Sequence, residues 1–294
     1  MSVIKVDNIT KDYGSSRGVF DLSFEVNKGE IFGMLGPNGA GKTTTIRQLM
    51  GFIKSDKGNA KILNMNCFYK RENIQSKLGY LPGEIAFMDE MKGDDFINFI
   101  ADMKSIKNKN RIKELIDIFE LDANRKINKM SKGTKQKIGI VCAFMNEPEV
   151  VILDEPTSGL DPLMQKKFID LILEEKKKGT TIFMSSHIFE EIEKTCDRTA
   201  ILKDGRLIAI ENMDELKSKK NKNFEVVFKN EKDAENFKNK ISFKSELNNN
   251  NIVKIVIANN EVNSFIKELS NYDILDINSS SQTLEELFLH FYNK

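Results

Sequence analysis

The chain has 294 residues, of which 40% are hydrophobic and 30% charged, as expected for a soluble globular protein with one large domain or a large and a small one. Its formal net charge of +1 argues against a nucleic-acid partner bound through a strongly basic surface. Its three cysteines lie far apart, which predicts reduced thiols rather than a disulfide framework. The longest apolar run, at 138–145, is much shorter than the roughly 20 residues that cross a bilayer, so any membrane-spanning helices would have to come from another chain.

Short apolar segments alternate with helical patterns over the first two thirds of the chain. Strands are predicted at 3–6, 22–26, 31–35, 150–153 and 181–184, and helices after Lys42 and at 94–103, 112–119 and 162–178. Asp204-Gly205 separates two apolar triplets, which predicts a hairpin with a type I′ turn. This order predicts an α/β fold with an open sheet, interrupted by a mainly helical insertion at about 85–147.

The last quarter of the chain has a different pattern. Residues 216–223 are rich in lysine and asparagine, which predicts a solvated linker. The following order is strand 224–229, helix 231–240, strand 241–247, strand 252–257, helix 261–270 and strand 272–277, as in a ferredoxin-like β-α-β-β-α-β unit. A final helix is predicted to begin at the capping box 283–286. Residues 224–294 are therefore predicted to form a small α+β accessory or dimerising domain.

A glycine-rich loop joins the predicted strand 31–35 to the helix that follows it. The loop fits G-x-x-x-x-G-K-[ST], in which glycines let backbone N–H groups converge on a phosphate. Lys42 is predicted to reach the β- and γ-phosphates, and the Thr43 hydroxyl to bind Mg²⁺. The predicted nucleotide-binding residues are Gly36, Pro37, Asn38, Gly39, Ala40, Gly41, Lys42, Thr43 and Thr44.

Two acidic residues end the buried strand predicted at 150–153. Carboxylates at the C-terminal end of such a strand lie at the ligand-binding edge of an α/β sheet. Asp154 is predicted to hold Mg²⁺, and Glu155 to polarise an attacking water as general base. Together with the glycine-rich loop, the two acids predict a nucleotide triphosphatase, but kinases, GTPases and many ATPases share both features.

Two further segments and one residue distinguish between these classes of nucleotide triphosphatase. Residues 130–136 begin a predicted helix, 158–161 follow the two acids, and His187 follows the strand 181–184. With these motifs in this order, residues 2–215 resemble the ATP-binding subunit of an ATP-binding cassette (ABC) transporter. The resemblance implies a P-loop NTPase fold with an antiparallel β subdomain and a helical subdomain. It predicts an ATPase domain at 1–215 that uses ATP and Mg²⁺.

The resemblance also assigns roles to single residues. Ser131 and Gly133 belong to the signature loop, which would contact the γ-phosphate bound by a second subunit. Asp161 belongs to the loop that crosses the dimer interface, and His187 contacts the γ-phosphate. Tyr13 stands where the family stacks an aromatic ring on adenine. The active unit implied is a homodimer or a heterodimer with a second ATPase subunit.

The sequence departs from the family pattern at two places. The signature loop has Met130, Lys132 and Thr134 where the family usually has leucine, glycine and glutamine. Gly83 follows Pro82, where the family usually places a glutamine, and Glu84 is a candidate substitute for contact with Mg²⁺ or for coupling. The alternative for Glu84 is an exposed loop acid.

The segments 79–84 and 281–288 are similar to ATPases that are paired with ABC-2 type exporters, including bacitracin-type resistance systems. The resemblance implies a subunit at the inner face of the cell membrane, bound to a separate permease and working as an exporter. An ATP-gated regulatory clamp with little hydrolysis is an alternative, supported by the altered position at Gly83. A soluble ABC protein of translation or DNA repair is a third, disfavoured by the single cassette and the absence of a long coiled coil.

Overall fold

Residues 1–218, 221–249, 251–258 and 261–281 are described in the computed structural model of this chain. They divide into two units, Met1–Glu211 and Asn212–Lys294, the second containing the residues that are not described. Within the described ranges, no helix has the length and apolar character needed to cross a membrane.

The first unit contains ten strands and seven helices among the described residues. In chain order they are β1 (Ser2–Asp12), β2 (Gly18–Asn27), β3 (Ile31–Leu35), α1 (Lys42–Leu49), β4 (Lys57–Ile62), β5 (Met65–Asn66), α2 (Arg71–Gln75), β6 (Leu78–Leu81), α3 (Gly93–Met103), α4 (Asn110–Ile118), a 3₁₀ turn (Ile127–Lys129), α5 (Lys132–Phe144), β7 (Val150–Asp154), α6 (Pro162–Lys177), β8 (Thr181–Ser186), α7 (Phe189–Thr195), β9 (Arg198–Lys203) and β10 (Arg206–Asn212).

The strands form two sheets with different strand directions. One is antiparallel with the order β2-β1-β4-β5. The other has the order β10-β9-β3-β8-β7-β6, and its strands from β9 to β6 are parallel. All five residues of β3 and of β7 are buried, as expected for central parallel strands covered on both faces. The carboxyl ends of β3, β7 and β8 therefore lie at one edge of the parallel sheet.

Three stacked phenylalanine rings join the two sheets. Phe24 on β2 lies 5.4 Å from Phe32 on β3 and 5.8 Å from Phe183 on β8, measured between ring centroids. Phe32 and Phe183 are fully buried. Rings of this size contribute much of the apolar area in a core, and these three fix the distance between the sheets.

The segment predicted to be mainly helical contains α3, α4, the 3₁₀ turn and α5, whereas 85–92 is not helical. An ion pair ties α4 to α6, because Arg111 Nη2 lies 2.6 Å from Glu175 Oε1 and both side chains are buried. A buried pair of this kind is costly to break from one side, since the other charge is then left unpaired.

The predicted hairpin is formed by β9 and β10. Asp204 and Gly205 at its tip have φ angles of +49° and +72°. Two successive positive φ angles define the type I′ turn that the sequence predicts. The backbone N–H of Gly205 donates to the carbonyl of Ala40 at 3.1 Å, so the hairpin tip contacts the glycine-rich loop.

The second unit contains α8 (Met213–Ser218), β11 (Lys222–Phe228), α9 (Glu231–Lys240), β12 (Lys244–Asn248), β13 (Ile252–Ile257), α10 (Val262–Leu269) and β14 (Ile274–Ser281). Its sheet has the order β12-β13-β11-β14, and all its neighbouring strands are antiparallel. This is the ferredoxin-like arrangement that the element order predicts. Its core contains Phe228 and Phe237, whose ring centroids are 5.1 Å apart.

The segment interpreted as a linker, 216–223, overlaps the end of α8 and the start of β11. The capping box at 283–286 lies outside the described residues. The sequence patterns did not predict β4, β5, β6, α2, α7 or α8, which are short or lack a clear apolar period.

Candidate functional site

The glycine-rich loop lies between β3 and α1, the context that its motif requires. Gly39 and Gly41 have φ angles of +84° and +105°, which only glycine adopts readily. Along the loop, Gly36 and Ala40 are buried, whereas Pro37, Asn38 and Gly39 are exposed. At the start of α1, Thr43 is exposed and Thr44 half-buried. The exposed part of the loop and the first turn of α1 are accessible to a phosphate.

Lys42 folds back over this loop. Its Nζ donates to the carbonyl of Gly36 at 2.7 Å and to that of Pro37 at 3.2 Å. The same nitrogen lies 3.2 Å from Oε1 of Glu155, and the Lys42 side chain is only 5% exposed. The structure therefore brings together the lysine of the glycine-rich loop and the predicted general base.

Glu155 is the central residue of a cluster formed by Lys42, Glu155 and His187. Its second carboxylate oxygen, Oε2, lies 2.6 Å from Nδ1 of His187, so one carboxylate contacts both Lys42 and His187. Its backbone N–H donates to the carbonyl of Ser185 at 3.2 Å. The φ angle of Glu155 is +50°, a left-handed conformation that costs a non-glycine residue on the order of 1 kcal/mol. Strain of this kind is found at functional sites, where surrounding structure holds the residue in place.

Asp154, the other predicted acid, is almost fully buried at the end of β7. Ser185 on the neighbouring strand β8 donates through Oγ to Asp154 Oδ1 at 2.5 Å. The other oxygen, Oδ2, faces Gly83, because a Cβ added there would lie 3.3 Å from it. The position that carries a glutamine in the family thus lies against Asp154, whereas Glu84 next to it is exposed.

The signature residues lie at the start of α5. Ser131 is the N-cap of this helix, and its Oγ accepts from the N–H of Thr134 at 3.2 Å. A Cβ on Gly133 would lie 2.6 Å from the carbonyl oxygen of Gly159, so only glycine fits there without a shift of the backbone. Among the described residues, the polar contacts that join Lys42, Glu155 and His187 do not include these residues.

Two other predicted residues have local structural contacts. Asp161 is the N-cap of α6, and its carboxylate accepts from the N–H of Met164 at 3.0 Å. Tyr13 lies between β1 and β2 with 53% of its surface exposed, and Lys11 Nζ is 5.8 Å from its ring centroid. The cap is compatible with a second role for Asp161, and the exposed ring with stacking on a ligand.

The sequence patterns missed a buried carboxyl group beneath the cluster. Glu191 on α7 is 5% exposed and accepts from Ser186 Oγ at 2.5 Å. Burial raises the pKa of Glu191 to about 7, the hydrogen bond from Ser186 opposes this, and the charge of Glu155 raises it further. Ser186 directly precedes His187, and its Oγ also accepts from the N–H of Ile188 at 3.0 Å, so Glu191 supports through Ser186 the turn that carries the histidine. The pair Ser185-Ser186 before His187 is the only sequence signal for this network.

Comparisons with known proteins agree with these features. The family model of the ABC transporter matches residues 19–158. The bacitracin transport ATP-binding protein BcrA of Bacillus licheniformis is 39% identical over 227 residues, which cover 76% of this chain and 74% of BcrA. The linearmycin resistance ATP-binding protein LnrL of Bacillus subtilis is 35% identical over 71% of this chain and 68% of its own.

Solved structures are similar as well. The structure of an ATP-binding subunit of an ABC transporter superposes with a TM-score of 0.67 at 30% identity, over 74% of this chain and 92% of that chain. A dimeric ATP-binding cassette bound to ADP and Pi has a TM-score of 0.65 at 23% identity, over 71% and 98% of the two chains, which shows the fold. On these similarities and on the motifs above, the chain belongs to the ATP-binding subunits of ABC transporters and is an ABC-type ATPase.

Proposed function

We propose that this chain hydrolyses Mg-ATP between two ATPase subunits and drives a separate ABC-2 type permease that exports its substrate. The observation that carries this proposal is the contact of one carboxylate, that of Glu155, with both Lys42 and His187. A lysine from a glycine-rich loop and a histidine, each within hydrogen-bond reach of one strained glutamate, supply the groups that phosphoryl transfer to water requires.

Each group has a part in the reaction. Lys42 leaves the carbonyls of Gly36 and Pro37 and binds the β- and γ-phosphates, where its charge offsets the charge that develops on the transferred group. Glu155, released from Lys42, accepts a proton from the attacking water. His187 contacts the γ-phosphate and keeps its link to Glu155 through Nδ1.

Oxygen ligands on Asp154 and Thr43 suit Mg²⁺. The cation prefers carboxylate, hydroxyl and phosphate oxygens and usually keeps several waters, so a single carboxylate and a threonine are enough on the protein side. The Oδ2 atom of Asp154 faces Gly83, which has no side chain that could donate to it. The Thr43 side chain lies on the exposed face of α1. Bound Mg²⁺ would neutralise charge on the β- and γ-phosphates.

The second subunit completes the site. The N-terminus of α5 carries backbone N–H groups and a partial positive charge, and with Ser131 and Gly133 it would bind the γ-phosphate held by the partner. Asp161 would lie at the interface, and Tyr13 would stack on adenine. The dimer is formed by two copies of this chain or by this chain and a second ATPase subunit.

An exposed apolar groove supports a permease partner. Phe52, Tyr80, Ile85, Phe96 and Ile100 line it, and Phe52 is 51% exposed. Exposed apolar surface of this kind marks protein interfaces. Pro82 also lines the groove and directly precedes Gly83, so a cytoplasmic helix of the permease seated here would lie one residue from the contact with Asp154.

Export is supported by the relatives named for bacitracin transport and linearmycin resistance. A subunit that serves such a permease works at the inner face of the cell membrane.

The regulatory clamp is the second candidate, and Gly83 favours it because this position supplies no side chain to the reacting water.

Replacing Glu155 by glutamine tests the proposal. Glu155→Gln removes the proton acceptor and leaves the phosphate loop intact, so ATP hydrolysis is expected to fall by about 10²- to 10⁴-fold while ATP binding is retained. Phosphate release and binding of a fluorescent ATP analogue measure the two properties. Glu149→Gln, at an exposed position just before β7, is the control. Unchanged turnover in Glu155→Gln would remove this residue from the role of base, and negligible turnover in the wild-type protein bound to its permease would favour the clamp.

A further inference from the structure

The first turns of α5 are fastened to the loop that follows Glu155. Gln136 donates through Nε2 to the carbonyl of Pro156 at 2.8 Å, and this glutamine is only 4% exposed. Pro156 is the residue directly after Glu155. A buried amide is rarely left without a specific partner, so this contact fixes the peptide bond between Pro156 and Thr157, one residue beyond the proposed base.

Two more contacts join the same helix to the same loop. Lys132 Nζ donates to Ser158 Oγ at 2.8 Å, and Gly133 packs so closely on Gly159 that a Cβ would lie 2.6 Å from its carbonyl oxygen. Of these contacts, the one made by Lys132 is exposed, and exposed polar pairs stabilise little. The buried hydrogen bond of Gln136 is therefore the firmest of the links.

The other end of the loop is also held. The N–H of Glu155 donates to the carbonyl of Ser185 on β8, and the N–H of Ser158 donates to the carbonyl of Glu155 at 3.1 Å. The position of Glu155 is therefore set by β8 on one side and by α5 on the other. A displacement of α5 is passed to Glu155 through a single residue, Pro156.

We propose that Gln136 is a positioning residue that couples the two ATP sites of the dimer. Its helix begins with Ser131 and Gly133, which contact the nucleotide of the partner subunit, and its amide holds the loop of the base in its own subunit. Nucleotide bound in one site thereby sets the position of Glu155 in the other. This inference rests on the proposed dimer. It adds a path, from the N-terminus of α5 through Gln136 to Glu155, by which the two ATP sites affect each other.

Gln136→Met tests the coupling because it keeps the length of the side chain and removes the donor. Turnover is expected to fall by about tenfold or more, since small misplacements of a reacting group have large effects. The Hill coefficient for ATP is expected to fall to about one, because the sites no longer communicate. Binding of a fluorescent ATP analogue to the monomer is expected to stay at the wild-type value, since the phosphate loop is untouched.

Gln165→Met is the matched control. Gln165 on α6 donates through Nε2 to the carbonyl of Leu160 at 3.1 Å, so it holds the same loop from a helix that carries no signature residue. This variant is expected to keep the wild-type Hill coefficient. If Gln136→Met does not fold, Gln136→Asn is used instead, because its amide is one methylene too short for the contact and the expectations are the same.

A wild-type Hill coefficient in Gln136→Met overturns the proposal, as does an equal loss of cooperativity in Gln165→Met. A wild-type dimer that hydrolyses ATP with a Hill coefficient of one also overturns the coupling but leaves the proposed function standing. A chain that, with or without its permease, forms no dimer with ATP overturns the proposed function itself. Light scattering in the Glu155→Gln background, where ATP persists, measures dimer formation, and turnover of the variants with an intact Glu155 gives the Hill coefficients.

Discussion

The candidate site has two parts, which we call the phosphate-loop edge (Lys42, Glu155 and His187) and the signature edge (Ser131 and Gly133). They differ in how many of their side chains find partners within the same chain. On the first, Glu155 contacts both Lys42 and His187, and Lys42 is almost fully buried. On the second, Ser131 is exposed and bonds only to Thr134 among its described side-chain contacts. One edge is a set of polar side chains in contact within the chain, whereas the other is an exposed helix N-terminus without such contacts among the described residues. From this difference we expect that the single chain binds ATP and that fast hydrolysis depends on a second subunit.

Lys42→Ala gives the largest expected effect on this comparison. The variant removes the charge that binds the phosphates, so ATP binding by the single chain and hydrolysis are both expected to be lost, the latter on the order of 10³-fold. Titration with a fluorescent ATP analogue and phosphate release check the two expectations. Lys61→Ala, at an exposed position on β4, is the control. Retained binding in Lys42→Ala would mean that the first edge is not complete in one chain.

Gly133→Ala acts on the second edge. The new Cβ would lie 2.6 Å from a backbone oxygen of Gly159, so the signature loop must shift. Hydrolysis is expected to fall on the order of 10²-fold, while ATP binding by the monomer is retained. Gly179→Ala is the control for replacing a glycine away from the signature loop: a Cβ there meets nothing within 4 Å, but its φ angle of +95° strains an alanine, so the control is expected to lose stability and to keep normal hydrolysis. A variant that hydrolyses ATP normally would contradict a role for this edge in hydrolysis.

Glu191→Gln has the smallest expected effect on hydrolysis, because it changes the stability of the segment that carries His187. The pKa of Glu191 is raised from 4.5 to about 7 in the folded chain, so folding takes up a proton between these values. The contribution of this group to stability is therefore greatest below pH 4.5, falls as the pH rises to about 7 and is constant above it. Glutamine does not titrate, so the variant is expected to gain up to about 3 kcal/mol relative to the wild type between pH 4.5 and 8.

Urea unfolding of both proteins at pH 4.5 and pH 8 measures this difference. Glu190→Gln is the neighbouring control, because its carboxylate is exposed and its pKa is lowered by the hydrogen bond from Lys194. The control is expected to show a small change of the opposite sign. A pH-independent difference between Glu191→Gln and the wild type would show that this carboxyl group does not titrate with a raised pKa.

Much of the fold follows from local patterns. β3 has the predicted bounds because a short apolar run ends at Gly36, and the type I′ turn follows from Asp204-Gly205. By contrast, α7 has seven residues and several charges, so no apolar period marks it. Short elements of this kind are fixed by tertiary packing rather than by their own sequence.

The candidate site divides in the same way. The contacts of Glu155 with Lys42 and His187 could be predicted because each of the three residues follows a strand of the parallel sheet. The burial of Glu191 and Gln136 could not be predicted, because isolated polar residues are usually exposed and their partners lie far away in the sequence. For Asp161 the sequence allows two roles, because an aspartate before a proline predicts a helix cap as readily as a contact at the dimer interface.

The hydrogen bond between the tip of the β9–β10 hairpin and Ala40 has a practical consequence for protein engineering. Hairpin tips on the surface are the usual places for inserting affinity tags, fluorophores or whole domains, because they tolerate added length. In this chain such an insertion would displace Gly205, whose N–H supports the glycine-rich loop proposed to bind the nucleotide. A label inserted at the hairpin tip is therefore expected to change ATP binding, whereas one at the exposed turn beside Gly179 is expected to leave ATP binding unchanged.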